Sequence, residues 1–171
     1  MITSPPYGDS HTTVAYGQFS RLAAEWIGLP NARKIDKLAM GGWHSKAILT
    51  DSPVEEAIAE IRSVDEKRAR EVSAFYIDLG RSINSVAQVL SPNATICYVV
   101  GNRRVKGVVL PTDAFIVSAF RRHGFIHKQT IVRNIPNKRM PRKNSPTNVA
   151  GETSTTMHEE NIVICQRTNH T

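Results

Sequence analysis

The sequence predicts an α/β fold with about four strands, flanked by helices and ending in an antiparallel hairpin. Residues 64–90 carry apolar side chains at helical spacing, which predicts one long helix. The run TICYVVG at 95–101 is almost continuously apolar, as expected of a strand buried on both faces. Two further apolar runs, 125–135 and 160–166, are joined by a long connection, which favours an antiparallel pair. The length of 171 residues indicates a single domain, 1–171.

The stretch TVAYGQFSRLAAEWIG places its apolar residues near helical spacing, so it predicts the first helix. Gly28 and Pro30 follow and are expected to end that helix. Residues 29–52 are mixed in character, and we expect loops and short helical turns there.

Helix starts are indicated at three further places. The pattern Ser-x-x-Glu, typical of a capping box, occurs at 52–55 and again at 63–66. It predicts a short helix over about 53–62 and the start of the long one near 64. Thr112-Asp113 is expected to cap a last helix that runs to about His123.

Composition excludes several classes of protein. No run approaches the ~20 apolar residues that span a bilayer, and the first ten residues lack the pattern of a signal peptide. Cys97 and Cys165 each lie inside an apolar run and have no metal-ligand spacing. We therefore expect two buried thiols, no metal and no membrane association, in a cytoplasmic protein.

Positive charge is concentrated in one segment. The net charge is +7 and the pI about 9.7, a balance that favours a polyanionic partner. The segment 134–156 is rich in proline and asparagine and is predicted to be a basic loop. We expect phosphate contact there, with a merely solvated loop as the alternative. The candidate cations at or near this loop are Arg133, Lys138, Arg139, Arg142 and Lys143.

The opening residues carry the most specific motif of the chain. TSPPYGDS, residues 3–10, directly follows the end of a possible strand at Met1-Ile2. It resembles the catalytic motif of the DNA amino-methyltransferases, whose general form is Asp, Asn or Ser followed by Pro-Pro and an aromatic residue. The alternative is a proline-rich turn with a packed tyrosine.

The resemblance assigns roles to four residues. An exocyclic base amine is a poor nucleophile, and Ser4 Oγ and the Pro5 carbonyl are the acceptors implied to hold its protons. Pro5 and Pro6 have fixed φ and no N–H, which keeps these acceptors in place. Tyr7 is implied to stack on a base taken out of the duplex. Asp9 and Ser10 are implied to support this loop.

The target and the methyl donor also follow from the resemblance. The cofactor implied is S-adenosylmethionine. Serine before Pro-Pro-Tyr is associated mostly with N4-cytosine methylation, and aspartate is usual for N6-adenine. Methylation of adenine, RNA or protein stays open as an alternative.

The resemblance covers most of the chain. Residues 13–21 are similar to the helix that follows the motif in one subgroup, and 75–109 to the family's helix, turn and strand ending in Val-Gly-Asn-Arg. Asn102, Arg103 and Lys106 follow that strand, and the family places such loops along the rim that faces DNA. A solvated loop is the alternative for these three residues.

The sequence lacks the motif with which the family binds the methyl donor. No Phe-x-Gly-x-Gly turn, which holds the donor in the family, occurs in the sequence, so no cofactor-binding residue is identified. The family's Rossmann-like sheet has seven strands, and this chain is expected to form a partial sheet of four. A subunit of a split enzyme, an enzyme with altered motif order and a truncated gene product are the three explanations.

The sequence therefore predicts a half-methyltransferase for double-stranded DNA, of the kind found in restriction-modification systems. It is expected to need a complementary subunit, or an N-terminal half, that carries the glycine-rich turn. The alternative is an inactive remnant that only binds DNA or a partner.

Overall fold

The structure of the chain is a computed structural model. It describes residues 1–8, 16–34, 47–135, 143–144, 154–155 and 159–168. The elements, in chain order, are β1 (Ile2–Thr3), α1 (Tyr16–Trp26), a 3-10 turn (Ala32–Lys34), α2 (Glu55–Val64), α3 (Glu66–Val89), β2 (Thr95–Val100), β3 (Arg104–Val105), β4 (Val108–Val109), α4 (Thr112–Arg121), β5 (Phe125–Asn134), β6 (Lys143–Asn144), β7 (Ser154–Thr155) and β8 (Glu159–Arg167).

The main sheet has four strands in the order β1-β2-β8-β5. β1 pairs with β2 in parallel, and β8 is antiparallel to both of its neighbours. The predicted α/β architecture with four strands and a C-terminal antiparallel pair is confirmed. The last strand inserts between β2 and β5, so it also joins the terminal pair to the rest of the sheet.

The strand directions bring several chain segments to one edge of the sheet. Asn161, near the start of β8, lies opposite Val100 at the end of β2. Glu160 lies opposite Arg133 near the end of β5. The carboxyl ends of β1, β2 and β5 and the amino end of β8 therefore share one edge, which we call the carboxyl edge.

One face of the sheet is covered by helices. α4 packs on β2, β5 and β8, and α3 packs on α4 and α2. Ile96, Tyr98 and Val100 of β2 point into this core and are almost fully buried. Their neighbours Cys97 and Val99 are only half-buried, so the expectation that β2 is buried on both faces is wrong within the described residues.

The second face of the sheet is apolar and incompletely covered. Ile2 is 80% exposed and Ile131 is 45% exposed, although both are large apolar residues. Strand register places both on the same side as half-buried neighbours in β2 and β8. This surface, called the open face, consists of Ile2, Cys97, Val99, Ile131, Ile162 and Ile164.

The start of α3 differs from the capping box predicted at 63–66. Ser63 donates its hydroxyl to the Glu60 carbonyl instead of capping the next helix. Asp65 is the N-cap, because its carboxylate accepts the Arg68 backbone N–H at 2.9 Å. α2 likewise begins at Glu55, and Ser52 makes no cap, whereas the Glu55 carboxylate accepts the Asp51 backbone N–H at 2.7 Å.

A distant side chain caps α4, where Thr112-Asp113 was the predicted cap. Asn102 Oδ1 accepts the Asp113 backbone N–H at 3.2 Å, and its Nδ2 donates to Asp113 Oδ1 at 2.9 Å. Asn102 follows β2, so this reciprocal pair fixes the start of α4 against the end of the strand. Tyr76 on α3 adds a buried hydroxyl contact to Thr112 Oγ1 at 2.7 Å.

Asp65 generates a testable pH dependence of stability. The Arg68 backbone N–H, followed by the Lys106 ammonium at 3.1 Å, lowers the pKa of Asp65. A lowered folded-state pKa contributes stability above the unfolded value of about 3.9, and this stability is lost as pH falls through the folded value. When the pH is lowered from about 5 to about 2, the free energy of unfolding of Asp65→Asn should therefore fall by less than that of the wild type.

The measurement is the urea midpoint across that pH range. Glu60→Gln, an exposed carboxylate change on the preceding helix, is the matched control and should follow the wild type. Parallel midpoint curves for Asp65→Asn and wild type would contradict the assignment.

Candidate functional site

The Ser-Pro-Pro-Tyr segment leaves β1 at the carboxyl edge. Ser4 is exposed, whereas Pro5, Pro6 and Tyr7 are half-buried and Gly8 is buried. β1 itself is held by β2 and by the Met1 ammonium, which donates to the Thr95 carbonyl at 2.7 Å. The motif thus starts from a fixed strand and presents one exposed hydroxyl. Asp9 and Ser10 lie outside the described residues.

Three side chains form a hydrogen-bonded chain at this edge. Ser4 Oγ lies 3.3 Å from the Tyr7 hydroxyl, which donates to Glu160 Oε1 at 2.8 Å. The second contact joins residues 153 positions apart in sequence. Glu160 was not among the predicted site residues, because its proximity depends on β8 inserting beside β2. An acidic residue at the start of an apolar strand was the only signal in the sequence.

The surroundings of Tyr7 keep its hydroxyl protonated. Burial is the main cause that raises the pKa of Tyr7, and the Glu160 carboxylate raises it further through its hydrogen bond and charge. The hydrogen bond from Ser4 acts in the opposite direction and lowers it. At neutral pH the phenol is therefore a hydrogen-bond donor, and the half-buried ring is held by its hydroxyl.

Arg133 lies on the other side of the same carboxylate. Its guanidinium pairs with Glu160 Oε2, and the Glu160 side chain is only 12% exposed whereas that of Arg133 is 60% exposed. β-sheet register places the two residues directly opposite each other. The structure thus joins Arg133, predicted as a phosphate contact, to the motif through Glu160.

The predicted rim residues after β2 make contacts within the protein. Asn102 is engaged with Asp113, as described above. Arg103 is half-buried, with its Nη1 out of contact with solvent. Lys106 occupies the turn between β3 and β4 with a φ of 50°, and it pairs with Asp65. All three lie near the carboxyl edge, and their contact with DNA stays a prediction.

The predicted basic loop connects β5 to β8. Within it, β6 and β7 form a small antiparallel ribbon in which Lys143 pairs with Thr155. Lys138, Arg139 and Arg142 lie outside the described residues. Because the loop leaves β5 and enters β8 at the carboxyl edge, both of its ends lie beside the Ser4–Tyr7–Glu160 chain.

The carboxyl edge thus combines an exposed serine hydroxyl, a half-buried tyrosine ring and a carboxylate held by arginine. Such a set can accept hydrogen bonds and offer an aromatic face to a flat ligand. Among the described residues, no helix is long and apolar enough to cross a membrane.

The chain was compared with known proteins. No protein-family model matches it. It is 44% identical over 177 aligned residues to the Type II methyltransferase M.MvaI of Kocuria varians, an alignment that includes 96% of this chain. The chain spans only 39% of the length of that relative.

Two solved structures of TTHA0409 from Thermus thermophilus, a proposed DNA modification methylase, also match. The selenomethionine derivative is 26% identical with a TM-score of 0.40, and the match covers 56% of this chain and 38% of that one. The complex with S-adenosyl-L-methionine is 22% identical with a TM-score of 0.41, and the match covers 57% and 39%. The identity to M.MvaI, over nearly the whole chain, makes this protein homologous to one part of a Type II methyltransferase.

Proposed function

We propose that this chain is the base-binding half of an S-adenosylmethionine-dependent methyltransferase that modifies double-stranded DNA, with the N4 amine of cytosine as its target. The observation that carries the proposal is the position of Ser4-Pro5-Pro6-Tyr7. The motif leaves β1 at the carboxyl edge, and ligands of open α/β sheets bind outside the carboxyl ends of their strands. Homology to one part of a Type II methyltransferase supports the same reaction class.

Ser4 and Pro5 account for activation of the amine. The lone pair of an exocyclic amine is delocalised into the base ring, which makes it a weak nucleophile. Ser4 Oγ is exposed, and the Pro5 carbonyl follows it on a backbone that two prolines restrict. Acceptance of the two amine protons by these oxygens would free the lone pair and align the nitrogen for transfer.

Tyr7 accounts for binding of the base. A base must leave the duplex to reach the loop, which costs a few kcal/mol. Stacking on an aromatic ring contributes about 1–3 kcal/mol, an amount of similar size. The hydroxyl bond to Glu160 holds the half-buried Tyr7 ring by its far end.

The methyl donor is proposed to be held mainly by a part that lies outside this chain. S-adenosylmethionine would supply an electrophilic methyl group, and the family holds it on a glycine-rich turn that this sequence lacks. We therefore assign no residue of this chain to the donor. A complementary subunit or segment is proposed to supply that turn.

Uncovered apolar surface supports a complementary part. The open face exposes Ile2 and Ile131, and removal of such apolar side chains from water is favourable. Within the described residues, β1 pairs only with β2, which leaves a sheet edge beside the motif. α1 adds Leu22 and Trp26, which are 73% and 92% exposed. Exposed apolar side chains that are grouped on one surface can mark an interaction site.

The basic loop is proposed to hold the DNA backbone. It is anchored at the carboxyl edge, where the base would enter, and carries most of its charge in Lys138, Arg139, Arg142 and Lys143. Contacts to phosphate set the register of a protein on DNA and carry little sequence information.

Substitution of the motif tests the proposed reaction. Ser4→Ala in the assembled enzyme should lower kcat by about 100-fold or more, as loss of a preorganised transition-state contact does elsewhere. Tyr7→Ala should lower kcat/KM by about 10- to 100-fold through lost stacking. The measurement is methyl transfer to duplex DNA, and Ser85→Ala, an exposed serine on α3, is the matched control.

Analysis of the methylated nucleosides by mass spectrometry identifies the target. N4-methylcytosine is the expected product, and N6-methyladenine would instead favour the alternative target. Unchanged turnover by both motif variants would contradict the roles of Ser4 and Tyr7. DNA binding without methyl transfer by the assembled wild type would favour the inactive remnant.

Calorimetry with S-adenosylmethionine tests whether this chain binds the methyl donor without the complementary segment. The 171-residue chain alone should show no micromolar binding, because it lacks the glycine-rich turn. Addition of the complementary segment should produce binding. Micromolar binding to the chain alone would instead show that the donor site lies within this chain.

The salt dependence of DNA binding tests the basic loop. Each phosphate contact contributes about 0.9 to the log–log slope, so the triple change of Lys138, Arg139 and Arg142 to alanine should reduce it by about 2.7. The matched control changes Arg81, Arg121 and Lys128, three exposed cations away from the loop. An equal reduction in both triple variants would contradict a local phosphate site.

A further inference from the structure

Glu160 has so far only the role of holding the Tyr7 ring, yet it is a largely enclosed carboxylate at the site. Its side chain is 12% exposed, it accepts the Tyr7 hydroxyl through Oε1, and it pairs with Arg133 through Oε2. Both carboxylate oxygens are thus occupied by donors, which fixes the carboxylate in position.

The direction of the protons along this chain follows from the chemistry of its members. A carboxylate paired with arginine has no proton and can only accept. Tyr7 must therefore give its single proton to Glu160, and its oxygen can then only accept from Ser4. Ser4 in turn must give its proton to Tyr7, across 3.3 Å.

We infer that Glu160 is a positioning residue that makes Ser4 a pure hydrogen-bond acceptor toward the substrate amine, through the chain Ser4–Tyr7–Glu160. A serine hydroxyl can donate or accept, whereas amine activation needs an acceptor. Once its proton points to Tyr7, Ser4 Oγ offers only lone pairs to the exposed side. The chain would give serine the property that aspartate has by its charge. This inference rests on the proposed methyl transfer.

Tyr7 then has two separable duties. Its ring stacks on the base. Its hydroxyl donates to Glu160, so that the hydroxyl oxygen accepts the proton of Ser4. Tyr7→Phe keeps the first duty and removes the second. Glu160→Gln keeps the size of the side chain and replaces an obligatory acceptor by an amide that can also donate.

Titration of Tyr7 tests the chain without any need for catalysis. The pKa of Tyr7 is read by carbon NMR of ring-labelled tyrosine in the 171-residue chain together with its complementary segment, and Tyr7→Phe assigns the signal. Ser4→Ala should raise the pKa of Tyr7, because a donor to the phenolate is lost. Glu160→Gln should lower it, because the hydrogen bond and charge of the carboxylate are lost. Any other pair of signs would overturn the proton direction.

A double-mutant cycle tests the consequence for methyl transfer. Tyr7→Phe and Glu160→Gln should each lower kcat about tenfold or more with little change in KM, in line with loss of a bond to a charged group. In a Ser4→Asp background, where the acceptor no longer depends on the chain, both effects should shrink to within about twofold. A role of Glu160 in folding alone would give equal losses in both backgrounds and would overturn the inference.

Glu159→Gln is the matched control, since Glu159 is the exposed neighbour on β8. It should leave the Tyr7 titration and kcat unchanged. If the wild type methylates DNA and Glu160→Gln behaves like Glu159→Gln, the inference fails while the proposed function stands. If the assembled wild type transfers no methyl group, the proposed function fails, and the titration still decides the direction of the protons.

Discussion

The pairing of β8 between β2 and β5 is the constraint on which the site depends. It places the start of the last strand beside the end of β2, and so brings Glu160 to Tyr7 across 153 positions of sequence. The same pairing sets Arg133 opposite Glu160. A two-residue strand, β1, then needs only its contacts to β2 to deliver the motif to that edge. Long-range strand order, more than any local turn, assembles the three side chains.

Local patterns in the sequence were sufficient to predict the helices and strands. They were insufficient to predict which residues cap the helices. Period and turn residues predicted the long helix, a strand at β2 and the terminal pair, all of which are present. The caps were misassigned because several polar residues compete at each helix start. Asp65, two residues after Ser63, caps α3, and Asn102 accepts from the backbone of Asp113, 11 positions further along the chain. Only the folded chain decides such a competition.

The site shows the same limit. Ser4 and Tyr7 were predicted because their motif is contiguous, and a contiguous motif can be read from any one sequence. Glu160 was missed because its partner is defined by strand order, and the apolar run that follows it gives no hint of a polar contact. The burial of β2 was overestimated for a related reason. Its composition suits cover on both faces, whereas the described helices cover only one.

The open face is apolar surface that the described helices leave uncovered, and it borders the carboxyl edge. The complementary part proposed above would cover this apolar surface, and the motif lies at the border of that surface. The proposed complementary part would also complete the wall of the crevice in which the amine of the base is proposed to meet the methyl donor. Because Ser4 is exposed at this border, the orientation of its hydroxyl would have to be set by contacts within the chain, such as the one to Tyr7. Glu160, held by Arg133 and in contact with Tyr7, lies where it can do so.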